Sequence, residues 1–263
     1  MTVTVQRAGG VAEIVLDRPE QRNPLDYHTA RAVVSAMREQ ATAPDVGAIL
    51  IWGRGKGFCA GADLKEFSAQ AKADALSYHD SGQVWADMFT VPRQLDVPVV
   101  VAAHGFALAG ACGLVAAADI ALAAEGTQFG MSEIRIGLFP VIAFPALARA
   151  VGPRRARELA LTGRRIDAAE ALVMGLVHRV LPAEGFIDAA REMARDIASL
   201  GRDALRLGKE LMRQAEDLDL DAAVAHAKAA RGAFLATPDF AEGLDAFLTK
   251  RAPRFRAGAG AES

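Results

Sequence analysis

Two glycine- and alanine-rich turns, GFCAGADLK at residues 57–65 and HGFALAGACG at residues 104–113, each follow a β-like run. Residues this small let backbone N–H groups approach a ligand without side-chain obstruction. Two such N–H groups aimed at one oxygen would make an oxyanion hole. On composition alone, the same turns serve equally well as tight strand-to-helix connections packed in a core. Other catalytic signatures are missing. The nearest approach to a GxSxG elbow is GMSEI at 130–134, which lacks the second glycine. GRGKGF at 53–58 is neither a P-loop nor GxGxxG, and there is no HExxH helix or metal-spaced cluster of His, Cys and carboxylates. His104, in an apolar stretch, reads as a structural, hydrogen-bonded histidine. Taken alone, Glu133 reads as a surface carboxylate paired with Arg135 or a neighbour.

Something must hold the two turns close together, and the composition suits close backbone approach. The 263 residues are 52% hydrophobic but only 6% aromatic, with 24 glycines. Short β-like runs at 11–16, 48–52, 97–103, 119–123 and 177–180 alternate with helix-like stretches, which predicts α/β architecture. Asp26 is placed to cap a helix whose inner face carries Tyr27, Ala30, Val34 and Met37. Asp167 with Glu170 opens another helix that ends near Gly175. The stretch 97–118 mimics a membrane span with only His104 as a polar interruption. Pro98 and the change of pattern at His104-Gly105 predict a buried strand, a turn and a buried helix instead. From Arg202 onward strand signals vanish and amphipathic helices follow, with Thr237-Pro238 as a restart. The expected organisation is therefore residues 1–200 as the α/β core and 201–263 as a helical appendage that packs on it or on a neighbouring subunit.

The formal charge of −2, from 30 Lys plus Arg against 32 Asp plus Glu, is too balanced to attract nucleic acid along a whole face. Cys59 and Cys112 lack C-x-x-C spacing, and no secretion signal opens the sequence. Reduced thiols in a cytoplasmic protein, with no membrane partner, are the expectation.

Over nearly its whole length the chain resembles the enoyl-CoA hydratase/isomerase family, the crotonases. The matching stretches are LDRPEQRNPLD (16–26), GFCAGADLKEF (57–67), HGFALAGACGL (104–114), FGMSEIRIGLFP (129–140), ALARAVGPRRARELALTGRRIDAAEALVMGLVHRVLP (146–182) and AFLTKR (246–251). The resemblance implies a superhelix of repeated β-β-α units with a C-terminal α-helical oligomerisation region. It also implies homotrimers, commonly paired into dimers of trimers, and an acyl-CoA thioester substrate. Coenzyme A would be part of that substrate, and no cofactor or metal is expected. The oxyanion donors would be the N–H groups of Ala62 and Gly110. Ala60, Ala62, Asp63 and Leu64 match the segment that contacts the adenine of CoA. Arg22 and Lys250, or Arg251, are candidates to meet its phosphates, although a solvated surface role suits each cation as well. An aspartate at position 63 would equally serve as a helix cap. Phe67, Trp85, Phe139 and Val141, with Met88 and Phe144, are candidates to line an apolar acyl pocket or to pack in the core.

The chain also departs from the family pattern. Hydratases of the family use two glutamates, and the first position is Gly113 here. The second is Glu133, the expected acid/base, preceded by Ser132 where proline is usual. Eight residues further on, Val141 occupies the position used by dienoyl-CoA isomerases and dehalogenases, which disfavours their chemistry. The resulting expectation is an enoyl-CoA hydratase acting in fatty-acid or related acyl-CoA catabolism. The alternatives are a 3-enoyl to 2-enoyl isomerase working with the single Glu133, and a catalytically silent acyl-CoA-binding protein.

Overall fold

The computed structural model describes residues 2–63 and 75–255. The chain opens with an antiparallel hairpin of β1 (Val3–Ala8) and β2 (Val11–Leu16), turned by Gly9 and Gly10 at φ of 58° and 76°. Helix α1 (Tyr27–Thr42) follows, with the Asp26 carboxylate accepting the Thr29 N–H at 2.6 Å and Ala30, Val34 and Met37 buried, as the spacing predicts. Next come β3 (Ala48–Gly53), α2 (Ala75–Gln94), β4 (Val99–Ala103), β5 (Phe106–Leu108) and α3 (Gly110–Ala117). They are followed by β6 (Ile120–Ala124), β7 (Gln128–Gly130) and a 3-10 turn at Ser132–Ile136. The remainder runs α4 (Phe144–Val151), α5 (Pro153–Thr162), β8 (Ile166–Asp167), α6 (Ala168–Met174), β9 (Arg179–Leu181) and α7 (Phe186–Ala198). Past Leu200 the described chain is helical: α8 (Arg202–Ala215), α9 (Leu220–Leu235) and α10 (Pro238–Leu248).

The strands form two sheets. Six lie in the order β1-β2-β3-β4-β6-β9, parallel from β2 onward, and three in the order β5-β7-β8. Every residue of β2, β3 and β4 is buried, as expected of a parallel sheet covered on both faces. The two-residue period divides them. Ile14, Ile49, Ile51, Val99 and Val101 join α1 and α3 in the main core, while Val15, Leu50, Val100 and Leu122 face Phe186, Ala190 and Ala194 of α7. Successive units, β4-β5-α3 and then β6-β7 with its 3-10 turn and α4, each place one strand in either sheet. Repetition of that step is the crotonase-type superhelix of β-β-α units.

The apolar stretch 97–118 resolves into β4, a turn at Gly105, β5 and α3, and no helix among the described residues is long and apolar enough to cross a membrane. His104 is hydrogen-bonded through Nε2 to Gly55 O at 3.0 Å. The Asp167 cap with the Glu170 N–H (2.8 Å), the Gly175 stop and the Thr237 cap all occur as predicted. Strand β1, with mostly exposed residues, and β5, β7 and β8, of two or three residues each, lack a readable period and are found only in the fold. Helix α8 is fastened to the core by Lys209, whose Nζ donates to Pro92 O (2.8 Å), Val97 O (3.1 Å) and the carboxylate of Asp119.

Candidate active site

The two small-residue turns are brought side by side by the backbone itself. Cys59 bridges Ala107 in parallel register, donating its N–H to Phe106 O and accepting from Leu108 N–H, both at 3.1 Å. Leu25 bridges Ala62 in the same sense, with Leu25 N–H on Gly61 O and Asp63 N–H on Leu25 O, each at 2.8 Å. In such a bridge the residue between the two bonded neighbours turns its own N–H the other way. The Ala60 N–H is engaged by Arg22 O (3.0 Å) and the Gly61 N–H by Cys59 Sγ (3.3 Å). From Phe58 to Asp63, Ala62 alone keeps an N–H with no acceptor among the described residues.

The second turn is built the same way. Ala109 sits at φ 52°, ψ −128° and donates to Gly130 O at 2.7 Å, and α3 starts at the next residue. A non-glycine residue held in that region stores local strain. Gly110 and Ala111 open the helix without acceptors among the described residues, and of the two only Gly110 lines a cavity. Gly61, at φ 100°, makes the close approach possible, since a Cβ there would fall 2.8 Å from the Ala109 Cβ. A Cβ on Gly110, by contrast, would meet nothing nearer than 3.9 Å, so the protein's own packing does not demand glycine there.

Both N–H groups border a cavity of about 370 Å³ lined mainly by apolar side chains, among them Trp85, Phe89, Phe139 and Val141, with Ser132 and Glu133. That size and character suit a small-molecule site. Glu133 is carried by the 3-10 turn Ser132–Ile136, which ends on Gly137 at φ 79° with its N–H on Glu133 O and Ile134 O. Burial pushes the Glu133 carboxyl above the ordinary carboxylate range, against an opposing backbone hydrogen bond. Its Oε2 is buried without a hydrogen-bond partner among the described residues. Arg135 is not that partner, because its Nε donates to Gly163 O at 2.9 Å. An unpaired, desolvated carboxyl beside fixed N–H dipoles has the properties of a general acid/base.

Gly113 is buried two helix positions beyond Ala111, and its place is already filled. A Cβ there would lie 2.7 Å from the Ala143 Cβ and 2.9 Å from Phe89 Cε1. Phe89 and Ala143 themselves line the cavity, so its wall is hydrocarbon at this point. Installing the second carboxylate by Gly113→Glu should therefore not raise hydratase activity. Overpacking of this kind costs about 1–3 kcal/mol, and thermal denaturation with a hydration assay checks both expectations.

The remaining sequence candidates divide. Ala60, Ala62, Gly110, Glu133, Trp85, Phe139 and Val141 all line the cavity, Val141 with 66% of its surface exposed. Arg22, at φ 65°, holds Ala60 through its carbonyl with its side chain exposed, and Asp63 pairs with Arg18 at 3.6 Å. Leu64 and Phe67 lie outside the described residues. Lys250 is exposed beyond α10, which packs on α8 and α9, and does not line the cavity. Arg251 is committed to Glu242 and Asp245 at 2.6 Å each. Met88 is core, and Phe144 packs its ring, tilted by 49°, against Phe139 with centroids 5.5 Å apart and does not itself line the cavity. Lining residues absent from the sequence reading include Phe89, Ile136, Leu138, Ile142 and Ala143. The apolar run GLFPVIA after the 3-10 turn is the available signal for Leu138, Ile142 and Ala143. No group of three or more His, Cys, Asp or Glu among the described residues is placed to hold a metal ion.

Known proteins share this arrangement of chain. A family model described as enoyl-CoA hydratase/isomerase matches residues 6–258. The chain is 38% identical over 255 residues to a protein named "Probable enoyl-CoA hydratase echA8" of Mycobacterium bovis, covering 97% of each. Among solved structures, an enoyl-CoA hydratase of Mycobacterium smegmatis superposes with a TM-score of 0.91 at 32% identity, covering 97% of this chain and 99% of that one. Human enoyl Coenzyme A hydratase domain-containing protein 3 gives a TM-score of 0.90 at 34% identity over 96% and 99%.

Proposed function

Because the chain belongs to the enoyl-CoA hydratase/isomerase family, we propose that it is an enoyl-CoA hydratase of fatty-acid or related acyl-CoA catabolism. It adds water to the 2,3-double bond of an enoyl-CoA thioester and yields the 3-hydroxyacyl-CoA. The observation that carries this reading is the pair of acceptor-free N–H groups, Ala62 and Gly110, bordering one cavity with Glu133. The thioester oxygen lies between the two N–H groups, and attack at the β-carbon drives negative charge onto it. Dipoles fixed in advance stabilise that enolate, and one such donor is worth about 3 kcal/mol of barrier. The N-terminal end of α3 adds its positive pole behind Gly110. Glu133 takes a proton from water as the C–O bond forms, then returns it to the α-carbon. One carboxylate thus serves both steps.

The CoA moiety is part of the substrate, and this chemistry calls for no further cofactor. Its adenine end rests on the turn at Ala60, Ala62 and Asp63, with Arg22 beside it. The Ala60 and Asp63 N–H groups are already engaged by Arg22 and Leu25, so contact there uses the turn's remaining backbone groups. The packed site at Gly113 favours a second activity, isomerisation of 3-enoyl-CoA to 2-enoyl-CoA, in which a single carboxylate moves one proton between two carbons. The deciding experiment follows loss of the conjugated enoyl thioester's ultraviolet absorbance with crotonyl-CoA, and its appearance with a 3-enoyl-CoA. Turnover of crotonyl-CoA is the expected result. Tight acyl-CoA binding with neither reaction would leave a silent binding protein instead.

For residues 201–263 the proposed role is assembly of a homotrimer, alone or paired. Leu220, Val224, Phe247 and Leu248 stand 58–81% exposed on α9 and α10, more apolar surface than scattered single residues account for. Phe247→Asp should lower the sedimentation coefficient toward that of a monomer while far-ultraviolet circular dichroism stays unchanged. The two free, buried thiols fit a reducing compartment such as the cytoplasm.

A further inference from the structure

We infer that the hydroxyl of Ser132 binds the attacking water beside Glu133, taking over the water-holding part that a second carboxylate would otherwise play. The inference rests on the hydratase reading above. Of the described side chains lining the cavity, only Ser132, Glu133 and Trp85 carry a hydrogen-bonding group. An indole N–H donates and cannot accept, a carboxylate accepts only, and a hydroxyl does both.

A water held in an otherwise apolar cavity needs two to four polar partners. At Gly113 the wall is made by Phe89 and Ala143 and supplies none. The N–H groups of Ala62 and Gly110 are taken by the thioester oxygen once substrate is bound. Among the described groups, what remains for the water is the Glu133 carboxylate, whose Oε2 has no hydrogen-bond partner there, and the Ser132 hydroxyl, which makes no hydrogen bond to a described residue. Both ride on one 3-10 turn, pinned by Leu138 N–H on Glu133 O (3.1 Å) and by Arg135 on Gly163 O (2.9 Å). Their spacing is therefore set by the turn rather than by a flexible loop.

The step balances without another reactant. Water gives one proton to the Glu133 carboxylate while its oxygen bonds to the β-carbon, and the π electrons move onto the thioester oxygen. The carbonyl then re-forms and the α-carbon takes the proton from Glu133. Ser132 keeps its own proton throughout.

The test compares wild type, Ser132→Ala and Ser132→Thr in two reactions. One is hydration of crotonyl-CoA. The other is exchange of the α-protons of butanoyl-CoA in deuterium oxide, which uses Glu133 and the oxyanion donors but no attacking water. Ser132→Ala should lower kcat for hydration about tenfold or more, leave KM near its wild-type value and leave exchange unchanged, and Ser132→Thr should restore most of the hydration. Hydration at the wild-type kcat in Ser132→Ala overturns the inference alone. Hydration and exchange falling together overturn it also, since Ser132 would then only support Glu133. A wild-type protein that does not hydrate at all overturns the hydratase reading, and this inference with it.

Discussion

Glu133→Gln should reduce crotonyl-CoA hydration by roughly 10²–10⁴-fold, the range that a positioned acid/base contributes, with acyl-CoA affinity close to wild type. The amide keeps the shape but can neither take the proton from water nor return it to the α-carbon. No other titratable side chain among the described residues lines the cavity to replace it. Folding should not suffer. The Oε2 atom has no hydrogen bond to a described residue to lose, and burial already holds the carboxyl above its ordinary range. A carboxyl raised in the folded state costs stability once the pH exceeds its unfolded value, and that cost disappears as the pH falls. A neutral amide removes it at every pH, so thermal denaturation near neutrality should show a Tm equal to or above wild type. The same shift sets the pH profile of the wild-type enzyme. Its kcat/KM should fall on an acid limb lying above the ordinary glutamate range, because Glu133 must be ionised to accept the water's proton. Equal hydration rates in wild type and Glu133→Gln would remove Glu133 from the chemistry.

Lys209→Met should have the largest effect on stability, a loss of about 3–5 kcal/mol, as expected when one partner of a buried ion pair is removed. The Lys209 side chain is 5% exposed, and its ammonium satisfies two carbonyls, Pro92 O and Val97 O, as well as Asp119. The Asp119 carboxylate also accepts the Val99 N–H at 2.7 Å, tying α8 to the start of β4. Burial pushes Asp119 up and Lys209 down, each against the pull of its partner, so either charge left alone is poorly tolerated. Lys209→Met combined with Asp119→Asn should recover part of the loss, because the amide keeps an acceptor for Val99 without an unpaired charge. Urea denaturation of the whole chain measures both variants, and a single mutant within about 1 kcal/mol of wild type would show that the pair is not a fastening.

Much of the frame was legible in the residues. The buried parallel strands read as apolar runs because both of their faces are covered, and Asp26, Asp167 and Thr237 marked helix starts because a short oxygen-bearing side chain satisfies a free N–H there. The helix covering the second face of the large sheet and the short strands of the small sheet were less visible. Their pairings are set by residues far apart in the chain, and two or three residues carry no period. Proximity in sequence suggests Arg135 as a partner of Glu133, whereas the 3-10 turn points the guanidinium at Gly163.

The sequence by itself determined which residues were available for chemistry: small residues that free the backbone at two turns, one carboxylate in the later motif, and glycine where a second would stand. Only the tertiary structure decided what those residues do together. It used up the N–H groups of Ala60, Gly61 and Asp63 inside the fold and left that of Ala62, and it closed the space at Gly113 with Phe89 and Ala143. The physical reason is that hydrogen-bond satisfaction and excluded volume are properties of neighbours in space. Leu25 meets Ala62, and Gly113 meets Ala143, only after the β-β-α units have stacked.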